Sequence, residues 1–372
     1  MSAREKEKVL AALSGGVDSA VAASLLKETG HEVEAVYVKT WAHEKDPLGE
    51  CPGAKDLEDA RAVAAALKIP FEVVNFTDFY HDNVVLPMVE GYSSGATPNP
   101  DVTCNRVMKF GALLEHALNR GFQALATGHY CRRVLGPDGE PHLLEGADKN
   151  KDQSYFLARL LPEQLEAARF PLGELEKPEV RRLAAERDLP VADKKDSQGI
   201  CFLGKVKVAE FLEVYLEDEP GEIVTAEGRI VGEHRGLHRY TLGQRKGIGV
   251  PSNADHERYV VVGKEPESNR LVVAFEASDA PGLWGIRFLL DDLSFLGPPL
   301  REERRLLAKP RYRDPSEPVL FRPSDETSAE IIFDEPQRAL APGQVLALYD
   351  GERLLGGGFY RPSLPGRADL RA

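Results

Sequence analysis

Three stretches of this chain combine residue types that can do covalent chemistry. Ser14-Gly15-Gly16-Val17-Asp18-Ser19 sets two glycines among hydroxyls and a carboxylate. Gly15 and Gly16 lack a Cβ, so the backbone there can take positive φ and lie close against an anion such as a nucleotide phosphate. Cys104 closes the proline-stiffened loop Thr97-Pro98-Asn99-Pro100-Asp101-Val102-Thr103, and Cys201 follows Asp196-Ser197-Gln198-Gly199-Ile200. Both cysteines sit beside an aspartate in a polar loop, which marks them as candidate reactive thiols. The alternative for either is a small buried core residue. The spacing leaves that choice open.

The elements that must hold these residues follow from periodicity. Val9 to Leu13 is an unbroken apolar run, as in a strand buried on both faces of a parallel sheet. Ser19 to Lys27 continues as a helix whose first N–H groups point back at the glycine turn, where phosphate binds best. The turn lacks a Gly-Lys-Ser/Thr ending, so it is not the common P-loop and brings no lysine to the phosphates. Apolar runs Val33 to Val38, Phe71 to Phe76 and Ala124 to Thr127 alternate with helix-like Lys55 to Leu67 and Val107 to Leu118, the rhythm of a parallel α/β sheet. Ligands in such sheets sit at the carboxyl ends of the strands, so Ser14 to Ser19, Val38 to Trp41 and Gly128-His129-Tyr130 are predicted to share one edge. A helix is predicted to begin near Arg106, placing Cys104 at its N-terminus, where a thiolate is favoured.

Residues 152–190 read as short helices broken by Pro162, Pro171 and Pro178. From Gly221 the pattern turns to strands at Glu222 to Val231, Tyr259 to Gly263 and Arg270 to Phe275. Val319 to Arg322, Ala329 to Phe333, Val345 to Tyr349 and Leu354 to Phe359 have the spacing of a small antiparallel barrel. Three domains are expected: a catalytic α/β domain over 1–205, a β-rich domain over 206–280 and a β-barrel over 281–372.

Composition narrows the class. At 372 residues the chain exceeds one ordinary core. No apolar stretch spans a membrane, and Met1 to Lys8 is too charged for a signal peptide, so a cytoplasmic protein without a membrane partner is expected. Four cysteines without a Cys-x-x-Cys pair fit neither a zinc ribbon nor a secreted disulfide framework, and no metal ligand set is assigned. Cys51 and Cys131 receive no role. The net charge of −13 argues against a generally sticky nucleic-acid binder. Local strips remain possible at Arg132-Arg133, at Lys194-Lys195, at Arg235 to Lys246, and at Lys309, Arg311 and Arg313, whose alternation would share one strand face.

Ser-Gly-Gly-Val-Asp-Ser resembles the PP-loop of ATP pyrophosphatases, which cleave between the α- and β-phosphates, so the expected α/β fold is of the adenine nucleotide alpha hydrolase type. The likeness extends over nearly the whole chain. Thr-Pro-Asn-Pro-Asp-x-x-Cys-Asn, Ala-Thr-Gly-His-Tyr, Asn-Lys-Asp-Gln-Ser-Tyr-Phe, Lys-Lys-Asp-Ser-x-Gly-Ile-Cys-Phe and Thr-Leu-Gly-Gln-Arg-Lys-Gly occur in that order. Together they resemble the bacterial tRNA-specific 2-thiouridylase family, which exchanges the carbon-2 oxygen of a wobble uridine for sulfur using ATP and a protein-held persulfide.

The resemblance implies that Ala12, Leu13, Ser14, Gly15, Gly16, Val17, Asp18, Ser19, Val38 and Gly128 contact ATP, and that Asn99, Pro100 and Asp101 meet the target base. It makes Cys201 the persulfide carrier and Cys104 its partner nucleophile. It places His129, Lys151, Asp152, Gln153, Arg311, Tyr312 and Gln344 against tRNA. ATP, Mg²⁺, the tRNA anticodon stem-loop and an upstream sulfur-carrier protein or cysteine desulfurase are the implied partners of a monomer or weak dimer. Asp101, three residues before Cys104, is the general acid/base candidate, with base orientation or helix capping as its alternatives. Two other readings stand beside this one. A PP-loop amide ligase or amidotransferase would need neither cysteine, and a tRNA-binding protein without catalysis would not need the Ser14 to Ser19 cradle.

Overall fold

A computed structural model describes residues 6–41, 52–196, 208–251 and 257–361. The first apolar run forms β1 (Lys8–Ala12), followed by α1 (Val17–Glu28), β2 (Glu32–Lys39), α2 (Pro52–Leu67) and β3 (Phe71–Asn75). Then come α3 (Thr77–Tyr80), a π-helical turn His81–Val85, and α4 (Leu86–Ser93). A further run joins α5 (Pro100–Thr103), π-helical Cys104–Leu113 and α6 (Leu114–Asn119) before β4 (Ala124–Ala126). The hairpin β5 (Cys131–Leu135) and β6 (Pro141–Glu145) leads to α7 (Pro162–Glu166), β7 (Ala168–Arg169), α8 (Lys177–Glu186) and α9 (Val208–Leu212).

β3, β2, β1, β4 and β7 lie side by side in that order, all parallel. Successive β1 side chains point to opposite faces, so Val9 and Ala11 enter one core while Leu10 enters the other. Burial on both faces is why the run carries no polar residue. Each fully buried Val or Leu stabilises by about 1.5–3 kcal/mol, and the sheet is correspondingly stiff. α1 packs on one face with Ala20, Ala22 and Ala23 buried, and their small size lets Val180 and Ala184 of α8 approach within the same core. The prolines expected to break helices instead begin them: Pro162 opens α7 and Pro178 is the second residue of α8, positions where a missing N–H costs nothing.

The second sheet holds β8 (Gly221–Thr225), β9 (Ile230–His234), β10 (Tyr259–Glu265) and β11 (Arg270–Phe275) in the order β10, β11, β8, β9. The turn between β8 and β9 uses Gly228 at φ +85°. The third is built from β12 (Trp284–Phe295), β13 (Arg304–Lys309), β14 (Glu317–Pro323), β15 (Ala329–Arg338), β16 (Val345–Asp350) and β17 (Arg353–Tyr360). These run antiparallel, and β12 pairs with both β15 and β17, closing a six-stranded barrel. Leu306, Val319, Phe321, Ile331 and Leu348 fill its interior. The hairpin β5–β6, far earlier in sequence, adds to the barrel's outside through Leu354 opposite Leu143.

One expected strip is not a strand face. β13 ends at Lys309, Pro310 has no N–H to continue a ladder, and Arg313 takes φ +68° in the following turn. Lys309, Arg311 and Arg313 therefore do not alternate along one extended segment. Among the described residues no helix is long and apolar enough to cross a membrane.

Candidate active site

The cradle forms where β1 ends. Ala12 closes the strand, Leu13 donates its N–H to the Val36 carbonyl at 2.9 Å, and Ser14 emerges to solvent. Gly15 turns the chain at φ +73° under α2, where a Cβ would lie 2.3 Å from the Asp56 carbonyl oxygen. Gly16 is the N-cap of α1, and among the described residues no side chain caps the helix. The first-turn amides, including those of Val17, Asp18 and Ser19, therefore have no intrahelical acceptor and, among the described residues, no capping side chain. Ser19 instead turns its hydroxyl back onto the Gly16 carbonyl, 3.0 Å away, and receives the Ser14 N–H at 3.1 Å.

The neighbouring strand ends complete the edge. Val38 is buried near the end of β2. Gly128 follows β4 and lies so close to α1 that a Cβ would stand 2.8 Å from the Ser19 nitrogen. The three predicted segments thus meet at the carboxyl ends of β1, β2 and β4. The uncapped helix and the space that only glycine leaves fit a nucleotide phosphate. Asp18 supplies a carboxylate, and Mg²⁺ is commonly held by one or two carboxylates together with phosphates, so this donor set fits that ion as well.

Asp18 is not alone. Its Oδ1 accepts from the Tyr130 hydroxyl and from Lys177 Nζ, each at 2.7 Å. Burial, reinforced by the Asp18 charge, pushes the Tyr130 phenol far above its ordinary range, so it stays a donor. Lys177 also meets Asp196 at 2.8 Å, and Asp196 is shared with Lys151 at 2.7 Å and Arg181 at 2.5 Å. Burial works to raise the Asp196 pKa, but Lys151 and Lys177 outweigh it and hold the carboxyl below its ordinary range. On the other flank Lys194 donates to the Gly15 carbonyl at 2.9 Å and to Asp56 and Asp59 at 2.7 and 2.5 Å. Sequence reading assigned no role to Lys177 or Tyr130 and saw Lys194 only as part of a basic pair. Tyr130 was legible inside Gly-His-Tyr, whereas nothing local marks Lys177, which reaches the cradle from 159 positions away.

The Cys104 loop is set differently from expectation. The helix starts at Pro100, with Asn99 as N-cap accepting the Val102 N–H at 3.3 Å, rather than near Arg106. The capping role thus falls to Asn99, and Asp101 lies in the first turn. Cys104 stands a full turn inside, at the start of the π-helical segment, and is completely buried. Its neighbour Asn105 donates to the Phe156 carbonyl at 3.3 Å, while Asn105 Oδ1 is buried without a partner among the described residues. Phe156 packs against Tyr312 in a tilted pair, 4.3 Å between centroids and 46° between ring planes. Cys201, with Ser197 and Gln198, lies outside the described residues, as does Cys51. Cys131 is buried in β5, and burial pushes its thiol well up.

The residues assigned to tRNA by resemblance divide by environment. His129 is buried between Phe110 and Phe170, with Nδ1 2.7 Å from the Thr127 hydroxyl, and burial, aided by Lys109, holds it neutral. Asp152 is buried, accepting from the Gly146 and Ser154 N–H groups and pairing with Lys309 at 2.7 Å. Gln153 receives the Tyr130 N–H at 3.1 Å, and Arg311 pairs with Asp314 at 2.8 Å. A cleft of about 320 Å³ lies between β6 and the barrel, lined by Asp152, Tyr155, Lys309 and Tyr312 among others. Much of the remaining basic surface is committed internally: Arg132 to Glu352, Arg235 and Arg239 to Asp218, and Arg245 to Glu276.

Fold and cradle define a protein with a PP-loop α/β domain joined to a small β-sheet and a closed β-barrel. Its sequence is 50% identical to the tRNA-specific 2-thiouridylase MnmA of Akkermansia muciniphila over 96% of this chain and 99% of that one. The chain belongs to the tRNA-specific 2-thiouridylase family. Proteins of the same name from Neisseria meningitidis and Aeromonas hydrophila are 48% and 46% identical, covering 94% and 96% of this chain and 94% and 97% of their own. Three domain families match in order: a tRNA methyl transferase HUP domain at 7–205, a tRNA methyl transferase PRC-barrel domain at 209–275 and an aminomethyltransferase β-barrel domain at 286–359. A solved 4-thiouridine synthetase–RNA complex with bound ATP is similar over 56% of this chain and 50% of its own, at 18% identity and a TM-score of 0.34.

Proposed function

We propose that this protein is a tRNA uridine 2-sulfurtransferase that activates the carbon-2 oxygen of a wobble uridine with ATP and replaces it with sulfur. The observation that carries the reading is the uncapped start of α1 at Gly16, pressed against Gly128 and beside Asp18. It is a site for a nucleotide's phosphates, in a chain whose near full-length relatives are named as thiouridylases.

The chemistry requires both halves of the site. A uridine carbonyl oxygen is a poor leaving group, so it first attacks the α-phosphorus of ATP and pyrophosphate departs. Backbone amides at the start of α1 would carry the phosphate charge, with Asp18 holding Mg²⁺. The outer sulfur of a Cys201 persulfide then bonds to carbon 2, AMP leaves with the original oxygen, and the Cys104 thiolate attacks the inner sulfur to break the S–S bond. In the alternative order Cys104 attacks first and the released hydrosulfide bonds to carbon 2. Either order leaves a Cys104–Cys201 disulfide, which an external dithiol must reduce by two electrons. Such a bond needs the two Cα atoms within roughly 7 Å. Because Cys104 is buried, its side-chain neighbours must part when tRNA docks. Asp101, in the first helical turn, is the proton carrier in this scheme. Asn99 and Pro100 orient the base, and Lys151, Arg311, Tyr312 and Gln344 form the anticodon-loop surface.

A methyl transfer, which the names of the matched domains suggest, would need neither an oxygen-activating nucleotide nor paired thiols. The test is mass spectrometry of tRNA nucleosides after incubation with ATP, Mg²⁺ and a persulfide donor. The expected product is 2-thiouridine, absent with Cys104→Ser or Cys201→Ser. Retained 2-thiouridine in either variant would overturn the cysteine scheme, and a methylated nucleoside would overturn the reaction class.

A further inference from the structure

The glycine turn of this cradle contains no lysine, yet the fold brings one to it. Lys177 Nζ lies 2.7 Å from Asp18 Oδ1, beside the first turn of α1. Its position is fixed from three directions. The Lys177 N–H donates to Asp148 Oδ2 at 2.9 Å, pinning the first residue of α8. Val180 and Ala184 anchor α8 in the core shared with α1. Asp196, itself fixed by Lys151 and Arg181, is a second carboxylate on the ammonium, at 2.8 Å. The side chain is largely buried, at 12% exposure, whereas Asp18 is 33% exposed and opens toward the cradle.

We propose that Lys177 is the cradle's polyphosphate-binding cation, exchanging Asp18 for a β- or γ-phosphate oxygen when ATP enters. The assignment rests on the nucleotide-site reading above. Paired with Asp18, the ammonium neutralises a carboxylate that would otherwise repel an incoming polyanion. An ammonium is a compact point charge on a flexible stem, so a small rotation moves it from carboxylate to phosphate without moving α8. Tyr130 stays on Asp18 Oδ1 through that exchange, and Asp196 continues to orient the lysine. Lys194 does a different task. Its three bonds to Gly15, Asp56 and Asp59 are all to the wall of the turn, so it stiffens the cradle.

The proposal separates ATP from AMP, because only ATP carries the phosphates that Lys177 would meet. Titration calorimetry on the full chain without tRNA should give Lys177→Met an ATP dissociation constant raised about tenfold or more, with AMP affinity within about twofold of the parent. Lys177→Arg keeps the charge and should retain most of the ATP affinity, which covers the case in which the methionine variant does not fold. Asp196→Asn keeps the ammonium, and its ATP affinity should fall much less than that of Lys177→Met. Equal losses for ATP and AMP, an unchanged ATP affinity in Lys177→Met, or an Asp196→Asn defect as large as that of Lys177→Met would each overturn it. The measurement contains no tRNA or sulfur donor, so a failure of the thiolation reading would leave it intact, and its own failure would leave thiolation standing.

Discussion

Gln344, on the barrel, donates its side-chain amide to the Thr97 carbonyl at 2.6 Å, joining the third domain to the loop that leads to Cys104. The bond is one of several on that loop. Thr97 N–H donates to the Pro342 carbonyl at 2.8 Å, the Thr97 and Thr241 hydroxyls lie 3.3 Å apart, and Lys264 Nζ reaches the Gly95 carbonyl at 3.0 Å. Both later domains therefore hold the segment that presents Asn99, Pro100 and Asp101. Gln344, proposed above as part of the anticodon-loop surface, also positions that loop through its amide.

Gln344→Ala should accordingly lower stability by about 0.5–1.5 kcal/mol, the net worth of one hydrogen bond. It should reduce kcat/KM for tRNA more than it changes ATP affinity, which should stay within about twofold because the cradle lies on other elements. Urea unfolding, thiolation kinetics and ATP titration on the same variant check this. A matching loss in ATP affinity would mean that the loop and the cradle are not separable.

Gly128 is needed for space rather than for backbone freedom, since it is absent from the positive-φ glycines. A Cβ there would stand 2.8 Å from the Ser19 nitrogen and 2.9 Å from the Asp18 carbonyl carbon, against a backbone that cannot yield without shifting the start of α1. Gly128→Ala should weaken ATP binding about tenfold or more, because it displaces the amides that receive phosphate. The readout is ATP titration beside a melting curve. An unaltered dissociation constant would show that α1 shifts freely.

What the sequence made legible follows physical range. β1 and β4 announce themselves because strands buried on both faces admit no polar residue, β2 because its apolar run is interrupted only by Glu34, and the cradle because Gly15 and Gly16 answer a local demand. Asn99-Pro100 was also local, an N-cap followed by a proline at the first helical position, and reading it would have moved the helix start away from Arg106. Lys309, Arg311 and Arg313 misled because alternation has meaning only within one strand, and Pro310 ends that strand. Lys177 was illegible. An ion pair between positions 18 and 177 leaves no periodic trace, and only the packing of α8 on α1 brings it about.

Lys264 gives a pH dependence. Burial lowers its pKa from 10.5 to about 8. In the unfolded chain it titrates near 10.5, so between pH 8 and 10.5 the unfolded state binds more protons and stability rises with pH across that window. Below pH 8 both states are protonated and the burial penalty is fully present. Lys264→Met should remove this rise. Urea unfolding of both proteins at pH 7.5, 8.5 and 9.5 checks it, with the difference between them shifting in favour of the lysine as pH increases. A constant difference would mean the ammonium is not penalised.

Arg159 ties the α/β domain to the barrel. It is 2% exposed, donates to the Gly357 carbonyl at 3.1 Å, pairs with Asp292 and lies 4.9 Å from the Phe359 ring centroid. Asp292 is 67% exposed and re-solvates when its partner is removed, so the ion pair itself contributes little. The larger losses are the stranded Gly357 carbonyl and the space left by a large buried side chain. Arg159→Ala should therefore cost about 2–4 kcal/mol in urea unfolding, and Asp292→Ala less than about 1 kcal/mol. Arg159→Lys should restore little, since one ammonium cannot reproduce the guanidinium's contacts with carbonyl, carboxylate and ring together. Equal costs for Arg159→Ala and Asp292→Ala would instead locate the stabilisation in the charge pair.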